Sequence, residues 1–423
     1  MKPPDLPKRR LLLGLAATLA CAPCAALAAA PAGPVADFDA LCKAIDEGYA
    51  FLDRPADWKT ARARWRPRAA AARDRAGLIA ALEGLIAELE DHHVGLDAHN
   101  PGSTRPVPEA TDLWGEWAGG EARLSAVRAG SVADAAGLHP GQRIVSVAGI
   151  AIGEAVRASL PRSRQADPRA RDYALRRLLA GPWQGTLPIE VGGGPVPKRF
   201  AVERSDAVPG ALPPIIARRI GEDRDLGYLR LKNNLGEEGL VAHFDAALGY
   251  LKDTRGLLVD LRETQSGGSP DIAARILARF ARTQAPWIVR TPRGGGTSTP
   301  PQIVAPRGPF TYEGPVAVLV DRWTAGEGES LAIGLAAVTR ATLVGTPMAG
   351  LRGDLRTVRL PGSGLRVRFP ASRVTQVDGT PRETVKPTLA VDLAAPSGGP
   401  GDPILYQGLK WLEIHATSRS NRK

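Results

Sequence analysis

The stretch GPVAVLVDRWTAGEGESLAIGLAAVTRATLVGTPMAG, Gly314–Gly350, decides the fold of this chain. Within it, Val316–Val320 is a short apolar run that is typical of a buried strand, and Leu331–Val338 is an apolar run that favours a helix. Ala341–Val344 then predicts a second strand. A strand, a turn, a helix and a further strand in this order predict an α/β layered domain.

The region before this stretch has the same alternation of strand and helix. Leu229 and Leu231 alternate with polar or aromatic neighbours, which predicts a half-buried strand. A helix, an apolar strand and another helix are then predicted at Leu240–Leu251, Gly256–Leu261 and Ile272–Ala281. We therefore predict that residues 220–395 form the α/β domain and that residues 400–423 form a C-terminal helix and tail.

Two further regions precede the α/β domain. Residues 35–105 are predicted to be a helical segment, because apolar residues recur there at spacings of three and four, first at Phe38, Leu41, Ile45 and Tyr49. Residues 113–205 contain short apolar runs separated by glycine-rich turns, a pattern typical of a small β domain.

One string inside this β domain, GSVADAAGLHPGQRIVSVAG at Gly130–Gly149, resembles the PDZ fingerprint. Gly137 suits a helix C-cap, Pro140–Gly141 suits a tight turn, and Ile144–Val147 suits a buried strand. The resemblance implies a module that binds peptide or protein C-termini by β-augmentation, with carboxylate capture near Gly119–Gly120. The alternative is a β-rich insert with no binding role.

The N-terminus predicts an export signal at residues 1–30. Lys8, Arg9 and Arg10 precede an apolar run that ends in the Ala-x-Ala of Ala26–Ala28, as in a secretory signal peptide. The arginine pair followed by leucines also resembles a twin-arginine signal. We expect a periplasmic or secreted protein with no stable transmembrane span after signal removal. The alternative is a retained membrane anchor.

Composition excludes several classes of protein. The chain has 423 residues, of which 43% are hydrophobic and 23% charged, so it is neither disordered nor coiled coil. Its net charge is +11, but the sequence has no basic stripe interleaved with aromatic residues, so we expect no nucleic-acid binding. After signal removal only Cys42 would remain, which excludes an internal disulfide and a cysteine-based zinc site. We expect no metal and no cofactor.

Four segments together resemble the tail-specific, or C-terminal processing, serine peptidases. That family has a PDZ domain inserted beside a crotonase-like core of stacked ββα units, and the resemblance extends over residues 36–393. It implies nucleophilic acyl transfer by a serine hydroxyl, a base and an oxyanion hole. The four segments are Leu226–Asn234, Gly256–Ser269, Gly314–Gly350 and Asp378–Leu393.

The resemblance distinguishes two branches by their base. In the Ser/Lys branch a lysine follows the serine by about 25 residues. Here Leu351 occupies that position, and there is no lysine between Lys252 and Lys386, so this mechanism is excluded. The tricorn-like branch uses a histidine and a glutamate, to which His93 and Glu383 correspond, with His92 where that branch has a serine. The alternatives are that His93 only caps a helix and that Glu383 is only an exposed loop carboxylate.

The same resemblance implies an oxyanion hole made by backbone amides of Glu327 and of Gly267 or Gly268. Glycine at the latter positions lets the backbone approach a substrate closely. The alternative is a plain strand-to-helix turn.

The nucleophile position departs from the family pattern, because Gly326 stands where the serine belongs. Thr324 and Ser330 flank it as substitute nucleophiles. Three hypotheses remain: a peptidase with a rearranged site, a pseudopeptidase that binds peptides, and a crotonase-like enzyme of other chemistry. Because relatives carry a side chain there, we expect Gly326→Ser to be tolerated and to create or raise peptidase activity.

Overall fold

The computed structural model describes residues 33–192, 196–203, 213–295, 299–395 and 401–420. The predicted signal peptide at residues 1–30 lies outside these ranges. The helices of the described residues are α1 Pro34–Gly48, α2 Pro55–Ala70, α3 Arg75–Ala87, α4 Val132–Ala135, α5 Ile152–Ala158, α6 Pro168–Ala180, α7 Leu240–Tyr250, α8 Pro270–Leu277, α9 Glu327–Thr339 and α10 Pro403–Ser420.

The strands form three sheets. They are β1 Gly95–Leu96, β2 Leu113–Ala118, β3 Glu121–Val127, β4 Arg143–Val147, β5 Ile150–Ala151, β6 Thr186–Gly192, β7 Lys198–Glu203, β8 Ile215–Ile220, β9 Leu226–Leu231, β10 Gly256–Asp260, β11 Ala285–Pro292, β12 Gln302–Val304, β13 Val316–Val320, β14 Thr342–Gly345, β15 Asp354–Arg359, β16 Arg366–Thr375 and β17 Leu389–Ala390.

The central sheet has the order β17-β14-β13-β10-β9-β8. Its strands pair in parallel except for the antiparallel edge strand β8. Apolar residues of α7, α8 and α9 form one buried cluster with one face of this sheet. The α/β class is therefore confirmed. Parallel strands require crossover helices, because each connection must return the chain to the same end of the sheet.

The opposite face of the central sheet is covered by α10, which corrects one prediction. The expected half-buried strand is wrong, since five of the six residues of β9 are buried and Tyr228 is only 9% exposed. Tyr228 and Leu412 of α10 belong to the same apolar cluster. Arg262 bridges the layers, because it binds the buried Asp260 and also Asp402 at 2.8 Å. A parallel strand covered on both faces loses the polar alternation of a half-buried one.

The region around residues 113–203 forms its own sheet, in the order β2-β3-β4-β6-β7 with β5 beside β4. It encloses a separate apolar cluster together with α5 and α6. Gly137 and Gly141 have a φ of +89°, as the predicted helix cap and turn require. Gly119 and Gly120 form the two-residue turn between β2 and β3, and both have positive φ. Their proposed part in carboxylate capture stays a prediction.

The N-terminal helices position the predicted histidine segment. Asp74 caps α3 by accepting a hydrogen bond from the Gly77 amide at 2.7 Å. The helices pack on β16 through a common apolar cluster. β1 then pairs antiparallel with β16, Gly95 opposite Arg368. This pairing holds residues 91–94 against the α/β domain.

Candidate active site

The turn between β13 and α9 has the backbone geometry of a strained elbow. Gly326 has φ +57° and ψ −120°, a conformation that residues with a side chain rarely adopt. Strained strand-to-helix turns of this kind present the nucleophile in α/β-hydrolases. Glu329 fixes the turn, because its carboxylate accepts a hydrogen bond from the Gly326 amide at 3.0 Å. The elbow is therefore built, but it carries no hydroxyl.

The expectation that Gly326→Ser is freely tolerated is wrong. A Cβ at position 326 would lie 2.8 Å from the backbone nitrogen and 2.9 Å from the carbonyl oxygen of Gly267. The positive φ adds backbone strain to these contacts. A serine at this position therefore requires the loop that contains Gly267 to move.

The loop that contains Gly267 also accepts a hydrogen bond from the predicted oxyanion donor, the Glu327 amide. The Glu327 amide donates a hydrogen bond to the Gly267 carbonyl at 3.1 Å. An oxyanion hole needs that N–H pointing at the substrate oxygen, with no carbonyl in its place. Gly268 is held beside it, since a Cβ there would lie 2.3 Å from the Asn234 carbonyl oxygen. In this conformation the donor of Glu327 is satisfied from within the chain.

His93 is buried and fixed in one tautomer. Its Nδ1 lies 2.6 Å from the Arg352 carbonyl oxygen. A carbonyl oxygen can only accept, so Nδ1 carries the proton and Nε2 keeps its lone pair. Nε2 is buried and has no hydrogen-bond partner in the described structure. Burial lowers the pKa of His93 to about 4, which leaves the imidazole neutral at pH 7 and able to accept a proton.

Among the described residues, Glu383 and His93 share no hydrogen bond. It lies in the short 3₁₀ helix Arg382–Thr384 and lines a different cavity, of about 400 Å³, that also exposes Arg322 and Lys386. One of its carboxylate oxygens is buried without a hydrogen-bond partner in the described structure. The group that orients His93 is therefore the Arg352 carbonyl. Sequence reasoning missed it, because a backbone acceptor has no residue signature.

The two substitute nucleophiles are engaged elsewhere. Thr324 is fully buried, and its hydroxyl donates to the Leu261 carbonyl at 3.0 Å and accepts from the Asp321 amide at 3.0 Å. Ser330 is also fully buried, and its hydroxyl accepts from Arg382 at 2.8 Å. Neither residue lines the cavity that contains His93. These hydroxyls stabilise the turn and the helix.

That cavity has a volume of about 100 Å³ and brings together most of the predicted site. Five sequence-predicted residues line it: His93, Gly267, Gly268, Gly326 and Glu327. The nucleophile position, the histidine and the oxyanion loop are therefore assembled in one place, from three segments that are distant along the chain.

A largely buried charge network also lines the cavity, and no motif in the sequence predicted it. Arg290 binds the Glu327 carboxylate at 2.9 Å and the Asp354 carboxylate at 2.7 Å. Burial raises the pKa of Glu327, while Arg290 opposes this shift. Arg382 donates to the Gly353 carbonyl at 2.6 Å. The network therefore compensates the negative charge of Glu327, the residue that follows the nucleophile position.

Glu329 is the second buried carboxylate of this turn. Besides Gly326, it accepts hydrogen bonds from the amides of Gly350 at 2.9 Å and Leu351 at 3.2 Å. Burial raises the pKa of Glu329 to about 7, although Arg382 and these amides favour its charged form. Glu329 therefore titrates near neutral pH.

Comparisons with known proteins concern the fold and the α/β domain. Residues 225–391 match the model of peptidase family S41. A search of curated proteins found no match. Among solved structures, the photosystem II D1 C-terminal processing protease is similar at 17% identity and a TM-score of 0.54, over 91% of this chain and 98% of that chain. Mature CPAF is similar at 14% identity and a TM-score of 0.57, over 90% and 95%. At these identities the likeness establishes a shared fold.

Proposed function

We propose, on the premise that residues 225–391 carry a peptidase family S41 domain, that this chain binds peptides or protein C-termini without cleaving them by a serine mechanism. The observation that carries the proposal is the elbow at Gly326, which has the backbone of a nucleophile turn and no hydroxyl. Acyl transfer needs an attacking group, and His93 alone does not supply one. In a triad hydrolase, loss of the nucleophile lowers turnover on the order of a millionfold.

The alternative, an active peptidase with a rearranged site, would need Thr324 or Ser330 to attack. Both hydroxyls are fully buried and hydrogen-bonded within the fold, and neither reaches the cavity of His93. No observation favours a crotonase-like enzyme of other chemistry. The geometry therefore supports a pseudopeptidase best.

Peptide binding is proposed to occur at the unit formed by residues 113–203. Strand β2 lies at an edge of its sheet and pairs only with β3 among the described residues, so its other edge can accept an added strand. Helix α6 lies beside β2, and Leu179 of α6 packs directly over Gly115. A strand edge next to a helix is the arrangement that a PDZ module uses, and the C-terminal processing protease named above has the same overall fold.

The serine mechanism is tested with a fluorophosphonate probe. The purified mature chain should show no covalent labelling, and it should leave unstructured peptides intact in an assay read by mass spectrometry. An active serine peptidase, labelled in parallel, is the control. Stoichiometric labelling of this chain, mapped to any serine or threonine, would sink the proposal.

Peptide binding is tested separately on the full chain. Fluorescent peptides with a free apolar C-terminus should bind in the micromolar range or more weakly, as a transient β-augmentation partner would. The same peptides with an amidated C-terminus are the matched control and should not bind if the carboxylate is captured. Equal binding of both forms would refute carboxylate capture, and no binding of either would refute the peptide-binding role.

We also propose that the chain is exported to the periplasm or secreted, on the basis of the signal-like residues 1–30. No helix in the described part of the chain is both long and apolar enough to span a bilayer. Mass spectrometry of the periplasmic fraction should find an N-terminus between Ala29 and Gly33. Recovery of intact Met1 on a membrane-bound species would contradict export with cleavage.

A further inference from the structure

Two adjoining cavities lie between the N-terminal helices and helix α6, away from the candidate active site. The small cavity has a volume of about 60 Å³ and the large cavity about 240 Å³. Thr104, Tyr173 and Arg177 line both. A water molecule needs a cavity of about 10–15 Å³. The small cavity therefore has room for a carboxylate group, and the large one has room for a longer chain.

Arg177 is the charged group where the two cavities meet. Its guanidinium donates to the Thr104 hydroxyl at 3.1 Å and to the Tyr173 hydroxyl at 3.4 Å. Within the described residues it forms no ion pair. An arginine that has only hydroxyl partners keeps donors for an anion, and its planar group matches a carboxylate through two parallel hydrogen bonds.

The acidic residues that line the cavities are already neutralised or hydrogen-bonded. In the large cavity, Glu88 pairs with Arg64 at 2.7 Å and Glu90 pairs with Arg164 at 2.8 Å. In the small cavity, Glu83 accepts from the Ser103 hydroxyl at 2.7 Å, and Asp91 accepts from the Tyr49 hydroxyl at 2.8 Å. Glu83 and Asp91 keep their negative charges in these hydrogen bonds. Three arginines, Arg105, Arg177 and Arg368, line the same small cavity, so its positive groups outnumber its negative ones and favour one added negative charge.

A second polar group lines the small cavity. The ring of His92 stacks on Tyr173 with centroids 4.5 Å apart, and its Nε2 is buried without a partner in the described structure. Burial, together with the charges of Arg176 and Arg177, keeps the pKa of His92 well below its ordinary value. His92 is thus a neutral hydrogen-bonding group, and a buried polar atom without a partner is rare unless a ligand or water satisfies it.

The large cavity has an apolar part beside its polar groups. Trp65, Leu160, Ala174 and Leu178 line it, and Ser159 and the paired glutamates lie among them. This apolar part can accommodate a short hydrocarbon chain.

We propose that these cavities form one binding site for a small organic monocarboxylate, with its carboxylate at Arg177 and His92 and its apolar chain in the large cavity. The ligand would contact α3, the segment before His93 and α6 at once. Binding would therefore join the helical segment to the 113–203 unit.

The test is calorimetric titration of the full mature chain at pH 7.5 with acetate, hexanoate and inorganic phosphate. Hexanoate should bind saturably and at least tenfold more tightly than acetate, since each buried methylene group raises affinity about fourfold. Phosphate, which has no apolar part, should bind no better than acetate. Phosphate binding as tight as that of hexanoate, or no saturable binding of either carboxylate, would overturn the proposal.

Two variants assign the site. Arg177→Met keeps the length of the side chain and removes the charge, and it should weaken hexanoate binding at least tenfold. Arg169→Met changes an exposed arginine on the same helix and should leave binding unchanged. If Arg177→Met fails to fold, Leu178→Trp provides the second test, because it fills the large cavity and should weaken hexanoate more than acetate. Hexanoate binding that is unchanged in a folded Arg177→Met, or in Leu178→Trp, would overturn the assignment.

Discussion

The His93 side and the Gly326 side of the same cavity differ in what they leave available. His93 has one nitrogen committed to the Arg352 carbonyl and the other without a partner, and it is neutral at pH 7. The Gly326 side has no hydroxyl, and its Glu327 amide is bonded to the Gly267 carbonyl. The base thus has a nitrogen available to accept a proton, whereas the other side lacks a nucleophile and its oxyanion donor is already hydrogen-bonded within the chain. The missing hydroxyl and the occupied amide therefore lie on the same side of the cavity.

The sharpest way to break this comparison is Gly326→Ser. If only the hydroxyl is missing, the variant should gain probe labelling and peptide cleavage where the parent has none, and His93→Ala added to it should remove the gain. The added side chain must be accommodated next to Gly267 at a positive φ. The free energy of unfolding of the variant should therefore be about 1–3 kcal/mol lower than that of the parent.

Gly326→Ala is the matched control, because it has the same strain without the hydroxyl. Urea unfolding should give both variants a similar loss of stability, and only the serine should be labelled. A folded Gly326→Ser that stays unlabelled would show that the closed Gly267 loop, and not the missing hydroxyl alone, blocks the chemistry.

Arg382 contacts both the His93 side and the Gly326 side of the cavity. Among the variants considered, Arg382→Met should therefore lower the free energy of unfolding most. Its guanidinium is 1% exposed and binds Ser330 on one side and the carbonyls of Leu351 and Gly353, which flank Arg352, on the other. Removing a buried charge that compensates carboxylates destabilises a protein by about 3–5 kcal/mol. Chemical unfolding of the variant measures this loss.

Arg366→Met is the control for that experiment. Arg366 forms a surface ion pair with Asp97 at 2.8 Å, and its side chain is 64% exposed. Exposed pairs contribute about 0–1 kcal/mol, so this variant should unfold close to the parent. Equal losses in the two variants would mean that Arg382 does not hold the site together.

The His93 side and the Gly326 side should also respond to pH in opposite directions. Burial lowers the pKa of His93 from 6.5 to about 4, so its contribution to stability is lost as the pH falls between these values. Burial raises the pKa of Glu329 from 4.5 to about 7, so its contribution is lost as the pH rises between them. In the parent the two effects partly cancel.

Single variants separate these effects. Glu329→Gln should leave stability falling more steeply on acidification, and His93→Gln should leave it falling more steeply on alkalinisation. Each slope changes by at most about 1.4 kcal/mol per pH unit. Urea unfolding at pH 5, 6 and 7 measures the slopes, and identical slopes in parent and variants would contradict the assigned titrations.

Ser330→Ala tests a single contact of Arg382 and should have a smaller effect on stability than Arg382→Met. The variant removes one acceptor from Arg382 and should cost about 1–3 kcal/mol of stability. It should leave probe labelling at the parent's level, because Ser330 does not line the cavity. If the parent does cleave peptides and this variant stops it while remaining folded, the nucleophile has moved to Ser330.

Much of the frame could be predicted from the sequence, because apolar runs and turn residues follow from burial. The strand at Val316–Val320 is where the pattern placed it, and the helix after it contains the predicted Leu331–Val338 but begins four residues earlier, at Glu327. The segments of His93, Gly267 and Gly326 meet in one cavity, as the resemblance implied. These are statements about residue types and their spacing.

The state of the site could not be predicted, because it depends on backbone groups and side-chain directions. The carbonyls of Arg352 and Gly267 decide the tautomer of His93 and the availability of the Glu327 amide, and any residue type could supply them. The ion pair of Arg290 with Glu327 joins a strand to a helix through tertiary packing alone. Glu383 was expected at His93 and instead lines another cavity.

Helix α10 has a consequence for the order in which the chain folds. It covers the face of the central sheet that carries Tyr228, and it is anchored there by the ion pair of Arg262 with Asp402. These partners are 140 residues apart along the chain, so a ribosome must synthesise past α10 before this face is shielded from water. Nascent chains that stop short of Pro403 would expose a continuous apolar surface, the kind that chaperones recognise and that aggregates when it is left uncovered.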